Sequence, residues 1–278
     1  MTALDDPLLP AKIYELIHRG NAGDLAFYLD ACRGAERVLE LGCGSGRLAR
    51  ALCAQGSFVL GVDCDGLRIA LARQHLLARG CGRSGAGQLA LVCADATQLP
   101  LASAPSFDRV IIAYNTLCAL GSDDAVLAVL TRAAALLRDG GELYLDVYLV
   151  DPDPEQQVVA PGEGRVEPLC TVMFDGLRVD VLEQEVGNAA APRAFELRYR
   201  YLVASDDTPA GVVERELRET LRHWALPGPL LEQLLGRAGL SVFARWGDFR
   251  GALDAASEQL VLGARPMRGQ GASRGRAR

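Results

Sequence analysis

Val38-Leu39-Glu40-Leu41-Gly42-Cys43-Gly44-Ser45-Gly46 is the stretch on which the fold turns. A short apolar strand runs into three glycines at alternate positions, and a helical pattern begins directly after them. A Gly-x-Gly-x-Gly turn behind a buried strand lets the backbone approach a ligand where side chains would collide. The competing dinucleotide loop, counted from Gly42, requires glycine at 47, and Arg47 stands there. This single position disfavours a nicotinamide site.

Outward from the loop, strands are expected at 37–41, 58–63, 89–93, 107–113 and 141–147, with helical spacing at 46–55, 67–80 and 123–137. Alternation of strand and helix implies a parallel sheet with crossover helices. The strand at 58–63 ends in Asp63, whose carboxylate could accept both hydroxyl donors of a ribose. The strand at 89–93 is followed by Asp95 and Ala96, a carboxylate and a backbone N–H suited to the edge of an adenine ring. Acids at these strand ends describe an adenosine across the carboxyl edge of the sheet; on their own they would read as ordinary capping residues.

After Val150 the pattern changes. Asp-Pro-Asp-Pro interrupts regular structure, Phe174-Asp175-Gly176-Leu177 has the form of a tight hairpin, and Phe195 to Val203 alternates strictly between apolar and charged residues. Residues 151–224 hold fifteen acids against eight arginines, a net of −7, whereas 1–150 carries −3 and 225–278 carries +4. A helix at 227–238 and strands near 240–246 and 258–264 are expected to return to the main sheet.

Composition removes several classes. Lys12 is the only lysine, which excludes a Walker phosphate loop and a Schiff-base lysine enzyme. Net charge −6 and pI near 5.2 argue against a polyanion as the main partner. The eight cysteines include no Cys-x-x-Cys pair and read as reduced, cytoplasmic residues. His18, His75 and His223 have no metal-binding spacing with one another or with a cysteine, so no metal site is expected. The acidic start MTALDDPLLP lacks an apolar signal core and no stretch reaches membrane-span length, so no membrane partner is expected.

The ordered runs VLELGCGSGRLARAL, GVDCD, CADATQLPL, FDRVIIAYNTL and LLRDGGELYLDV resemble the motifs of class I S-adenosylmethionine-dependent methyltransferases over residues 37–147. The resemblance implies a Rossmann-like α/β fold, a seven-stranded doubly wound sheet with one antiparallel strand, here carrying an inserted antiparallel β lid. It divides the chain into an S-adenosylmethionine-binding core (1–150 and 225–266), an insert over the acceptor site (151–224) and a disordered basic tail (267–278). It also implies roles: Glu40 and the loop Gly42, Cys43, Gly44 and Gly46 near the methionine end of the cofactor, Asp63 with its neighbour Cys64 at the ribose, Asp95 and Ala96 at the adenine, and Asn115 near the reactive end.

The segment from Lys12 to Gly20 is similar to the one that closes over the cofactor in small-molecule methyltransferases, including sugar amine N-methyltransferases, and those relatives also insert a lid after the fifth strand. Such a likeness implies a small-molecule acceptor. Tyr14 and His18, four apart on one helical face, are candidates to orient or deprotonate it, against a reading in which Tyr14 packs and His18 caps a helix. His223 is a candidate general base or a structural histidine. The acidic insert favours an amine acceptor and N-methylation. O-methylation of a hydroxyl or carboxylate, RNA methylation through Arg198, Arg200, Arg218 and Arg222 if they cluster, and cofactor binding without turnover stay open. Ala113-Tyr114-Asn115-Thr116 lacks the Pro-Pro motif of DNA amino-methylating enzymes. Oligomeric state is not legible.

Overall fold

Val38, Leu39 and Leu41 are fully buried because the strand that carries them lies between two parallel neighbours, with helices on both faces. The computed structural model describes residues 2–79, 87–99, 107–150, 158–209 and 211–267. In chain order, α1 (Leu9–Ile17) and α2 (Asp24–Ala31) precede the alternating unit β1 (Arg37–Leu41), α3 (Arg47–Ala54), β2 (Phe58–Asp63), α4 (Gly66–Arg79), β3 (Leu89–Cys93), β4 (Phe107–Ile112), α5 (Asp123–Leu136) and β5 (Leu137–Tyr148). Four long strands follow: β6 (Gly162–Phe174), β7 (Leu177–Gly187), β8 (Ala194–Ser205) and β9 (Arg215–Trp224). The chain then returns through α6 (Gly228–Arg237), β10 (Leu240–Gly247) and β11 (Gln259–Pro266).

The main sheet has seven strands in the order β10-β11-β5-β4-β1-β2-β3, and β11 runs antiparallel to both its neighbours. This is the Rossmann-like sheet with one antiparallel strand that the resemblance implied. Strand order reverses at β1, which pairs with β2 on one side and β4 on the other, so a crevice opens at their carboxyl ends. Leucines and valines of α5 and α6 fill one face, among them Val129, Leu130, Leu231 and Leu234. Tyr28 of α2 with Leu48 and Leu52 of α3 fill the other.

Two boundaries differ from expectation. The fifth strand, expected from 141, begins at Leu137, directly after α5. Phe107 pairs with Leu137 and Arg109 with Glu142, so the extra residues are absorbed as a bulge around Gly140, whose φ of 77° suits glycine. The fourth strand ends at Ile112, one residue early, because Tyr114 and Asn115 both take left-handed backbone.

The inserted strands form a separate antiparallel sheet, β6-β7-β8-β9. Asp175 and Gly176, with φ of 50° and 74°, make the tight turn between β6 and β7. Phe195, Tyr199, Tyr201 and Val203 are buried on one face, as alternation predicted. Leu9 and Ile13 of α1 join Val179, Val181, Tyr201 and Val203 in a third apolar cluster to which the main sheet contributes no buried residue. The N-terminal helix, placed with the core by sequence, thus packs its apolar side on the inserted sheet. The segment 151–157 and the tail after Met267 lie outside the described residues, among which no helix is long and apolar enough to cross a membrane.

Ile13 is completely buried in this third cluster. Ile13→Ala should cost about 2–5 kcal/mol of stability, the usual range for a buried isoleucine. Denaturant unfolding followed by tryptophan fluorescence reads the loss, and a cost below about 1 kcal/mol would show that α1 is only loosely attached.

Candidate active site

The carboxyl ends of β1, β2 and β4 and the inner face of the second sheet enclose a cavity of about 1160 Å³. Gly42 donates its N–H to the Val62 carbonyl at 2.8 Å and Cys43 does so at 3.0 Å, which folds the glycine loop back over β2. A Cβ on Gly42 would stand 2.4 Å from the Thr116 side chain, and φ there is 77°, so this position accepts only glycine. Gly44, at φ 54°, has open space where its Cβ would be. Gly46 instead serves as the N-cap of α3 against Ala72.

Asp63 accepts from the Gly44 N–H at 2.7 Å and from the Asp65 N–H at 2.9 Å, so one carboxylate ties the glycine loop to the turn after β2. Asp95 uses one oxygen to accept both the N–H and the hydroxyl of Thr97 at 2.8 Å. Asn115 accepts the Tyr148 N–H at 2.6 Å and so joins the ends of β4 and β5. Gly42, Gly44, Asp63, Cys64, Asp95, Ala96 and Asn115 all border the cavity. Cys43 does not; its thiol is turned under the loop toward Gly61, and burial pushes it well up. Glu40 also lies behind the wall. Burial raises its carboxyl to about 8, against the opposing pull of Arg47, and its Oε2 has no hydrogen-bond partner.

Tyr14, His18 and His223 border the same cavity. His18 closes α1, donating its N–H to the Tyr14 carbonyl at 2.8 Å, and the two rings stand 4.1 Å apart. Burial, aided by the nearby Arg68 charge, lowers the His18 imidazole to about 4, and burial raises the Tyr14 phenol to about 12. Both are neutral at pH 7. His223 stacks on Phe195 at 5.0 Å, and burial lowers its imidazole as well.

Sequence reading did not single out Arg68, Tyr114 or Tyr148 as site residues. The Arg68 guanidinium lies 3.5 Å over the Tyr14 ring and pairs with Glu219 of β9 at 2.6 Å, while Glu219 also accepts the Tyr201 hydroxyl at 2.7 Å. One side chain on α4 thereby touches α1 and the inserted sheet together. Nothing local marks such a residue in a helix. Tyr114 and Tyr148 stand at strand ends facing the cavity, where only register reveals their direction. Tyr199 borders the cavity too, with the His18 ring 5.6 Å away.

Arg198, Arg200, Arg218 and Arg222 do not gather into a free basic patch. Arg198 pairs with Glu163 and Glu196, Arg200 and Arg218 share Glu216, and Arg222 pairs with Glu196.

A glycine loop and two strand-end acids around the switch point of this seven-stranded sheet define the Rossmann-like fold of S-adenosylmethionine-dependent methyltransferases. Residues 38–141 match the family described as a methyltransferase domain. Over 116 residues, 42% of this chain and 44% of the relative, the sequence is 31% identical to a protein of Geobacillus sp. (strain WCH70) named as a methyltransferase. The match spans less than half the length of the curated relatives. Among solved structures, the chain is similar to the CcbJ methyltransferase from Streptomyces caelestis, with a TM-score of 0.70 at 23% identity over 89% of this chain and 90% of that one. It is also similar to S-adenosylmethionine-bound CalS10, an amino pentose methyltransferase from Micromonospora echinaspora, with a TM-score of 0.64 at 22% identity over 91% and 96%.

Asp63→Ala should weaken S-adenosylmethionine binding by about 1–3 kcal/mol, both through lost contacts and through release of the Gly44 N–H. Calorimetry on the folded variant decides it, and unchanged affinity would remove Asp63 from the site. Glu40 gives a second prediction with a definite sign. Its folded pKa lies above the unfolded one, so the native state holds the proton more tightly and stability falls as pH rises from about 4.5 to about 8. Glu40→Gln should therefore raise the melting temperature of the cofactor-free chain at pH 8 and change it little at pH 4; equal shifts at both would contradict the assignment.

Proposed function

We propose that the chain transfers a methyl group from S-adenosylmethionine to the nitrogen of a small amine. Charge sorting across the inserted sheet is the observation that carries this reading. On its outer face the glutamates are matched by arginines, as described above. On its inner face, β-sheet register puts Glu185 opposite Leu197, and Glu183 and Glu219 on either side of Tyr199. Among the described residues, Arg68 is the cation paired with this inner set. Of these, Glu185 borders the cavity, together with Asp63 and Asp95 of the core and with Arg68 and Arg222, and a carboxylate on that wall attracts a cationic acceptor. The likeness to CalS10, an amino pentose methyltransferase, supports the same choice.

The residues present fit the cofactor. Gly44 leaves space for it, Asp63 and Asp95 stand at the wall with Ala96, and the unpartnered Glu40 Oε2 lies behind the loop where the methionine ammonium would come. When bound, the cofactor supplies an electrophilic methyl group on a sulfonium that is also a good leaving group. The chain must then align the acceptor, which enters as its free base. His18 is neutral, so it sets no positive charge against the amine, and its lowered basicity leaves the ammonium's proton to pass to solvent before the nitrogen attacks. Arg68 would keep the Tyr14 ring, and with it His18, in place.

His18 is already neutral above about pH 5, so the ionisation that governs the rate is the acceptor's own. With chemistry limiting, kcat/KM for an amine should climb about tenfold per pH unit until the free base dominates, and it should fall with added salt. His18→Ala should lower kcat/KM for an amine, through lost alignment, while cofactor affinity holds. Product assays on matched amine, hydroxyl and carboxylate acceptors provide the check; methylation confined to hydroxyls or carboxylates would overturn the amine reading.

A further inference from the structure

Three carboxylates border the cavity: Asp63, Asp95 and Glu185. Two of them are engaged, since Asp63 holds the Gly44 and Asp65 N–H groups and Asp95 holds Thr97. Glu185, on β7 of the inserted sheet, has no side-chain hydrogen bond or ion pair among the described residues. The arginines on the same wall are taken by other acids: Arg68 pairs with Glu219 at 2.6 Å and Arg222 with Glu196 at 3.4 Å. Glu185 is also exposed, so a ligand entering from solvent can reach its carboxylate.

The other glutamates of this face are placed differently. Glu219 accepts the Tyr201 hydroxyl as well as Arg68, and Glu183 accepts the Tyr199 hydroxyl. Neither borders the cavity. Beside Glu185 the wall is apolar. Register sets Leu197 opposite Glu185 and Leu221 opposite Leu197, and Phe195 is the next residue of β8 on that face. All three border the cavity. In the other direction along β8 the next inward residue is Tyr199, with the His18 ring 5.6 Å away. Two residues of a strand span about 7 Å, so the row carrying Glu185 lies about 7 Å from the row that meets His18.

The chemistry of methyl transfer limits what Glu185 can do. A nitrogen paired with a carboxylate keeps its proton, because the neighbouring negative charge favours the charged form. Its lone pair is then occupied and cannot attack the methyl group. A nitrogen held on Glu185 and the nitrogen that is methylated are therefore different atoms.

We propose that Glu185 forms an ion pair with a second amine of the acceptor, which stays protonated while the first amine, toward His18, is methylated. The acceptor class is then a diamine whose nitrogens stand about 7 Å apart, with its carbon frame lying across Leu197. Glu185 is a specificity-determining residue and takes no proton from the reacting nitrogen. This inference rests on the amine reading and adds a second point at which the acceptor is recognised.

Two probes test it, 1,5-diaminopentane and hexylamine, in which an ammonium and a methyl group occupy the same end of the chain. Their kcat/KM values are measured with S-adenosylmethionine, and their affinities by calorimetry on the full chain saturated with S-adenosylhomocysteine. The wild type should favour the diamine by about tenfold or more, the scale of one hydrogen bond to a charged group, and added salt should reduce the preference. For the diamine, kcat/KM should pass through a maximum and fall once the second amine loses its proton, whereas for hexylamine it should level off. Glu185→Gln should bring the ratio near one, and Glu185→Asp should retain part of it. No preference in the wild type, or the same preference in folded Glu185→Gln, overturns the ion pair. An equal loss in Glu183→Gln would assign the preference to the summed field of the face and overturn it too. Preferential binding of the diamine that depends on Glu185, without methylation of either probe, would sink the amine transfer reading and leave the ion pair standing.

Discussion

The bond between the Asp63 carboxylate and the Gly44 N–H is the constraint on which the site depends. Strand β2 ends at Asp63, and the same side chain holds the Asp65 N–H, so the loop after β1 and the turn after β2 are set by one residue. Gly42 and Cys43 add bonds to Val62 in the same strand. A loop held this way keeps its shape without help from a ligand. The structural use of the carboxylate is compatible with the proposed one toward a ribose, because an ionised carboxylate has about four acceptor positions and two are taken.

A second constraint links the cover to this edge. Helix α1 and the inserted sheet share an apolar cluster of their own, and their polar ties to the core are few and specific. Glu15 of α1 accepts from Ser45 in the glycine loop at 2.7 Å and pairs with His75 at 3.0 Å. Arg68 reaches Glu219, and Arg193 holds Asp123 at 2.7 Å. Apolar packing makes the cover coherent, while charged contacts fix where it sits. Tyr14 and His18 therefore take their positions from the inserted sheet as much as from the core, although they lie more than 130 residues before it in the chain.

The core was legible because its signals are local. Strands β1, β2 and β3 fall on the expected residues, since each is an apolar run bounded by glycine or an acid. The glycine spacing and the strand-end acids led to Gly42, Gly44, Asp63 and Asp95, all of which border the cavity. Arg68 was not legible, because its partner Glu219 lies 151 residues away and an arginine on a helix looks like any solvated residue. The net charge of the insert could not say which face its acids take. Period-two spacing already placed Glu183 and Glu185 together, but only the pairing of β7 with β8 shows that they share the side of Tyr199 and not that of Arg198.

Burial is used at this site in two opposed ways. At Asp146 one oxygen is met by partners, since Oδ1 accepts the Tyr28 hydroxyl at 2.5 Å and the Tyr114 N–H at 2.9 Å, which anchors the loop carrying Tyr114 and Asn115, while Oδ2 is left unmet. At His18, His223 and Glu40 too it leaves polar atoms unmet. Each unmet group costs about 1–3 kcal/mol in the free chain. Several such groups amount to a sizeable part of the stability of an ordinary domain, and His18, His223 and Glu40 lie in or directly behind one cavity. The neutral state of His18 follows from the same desolvation, so the feature that weakens the free chain also keeps a positive charge out of the cavity at this position.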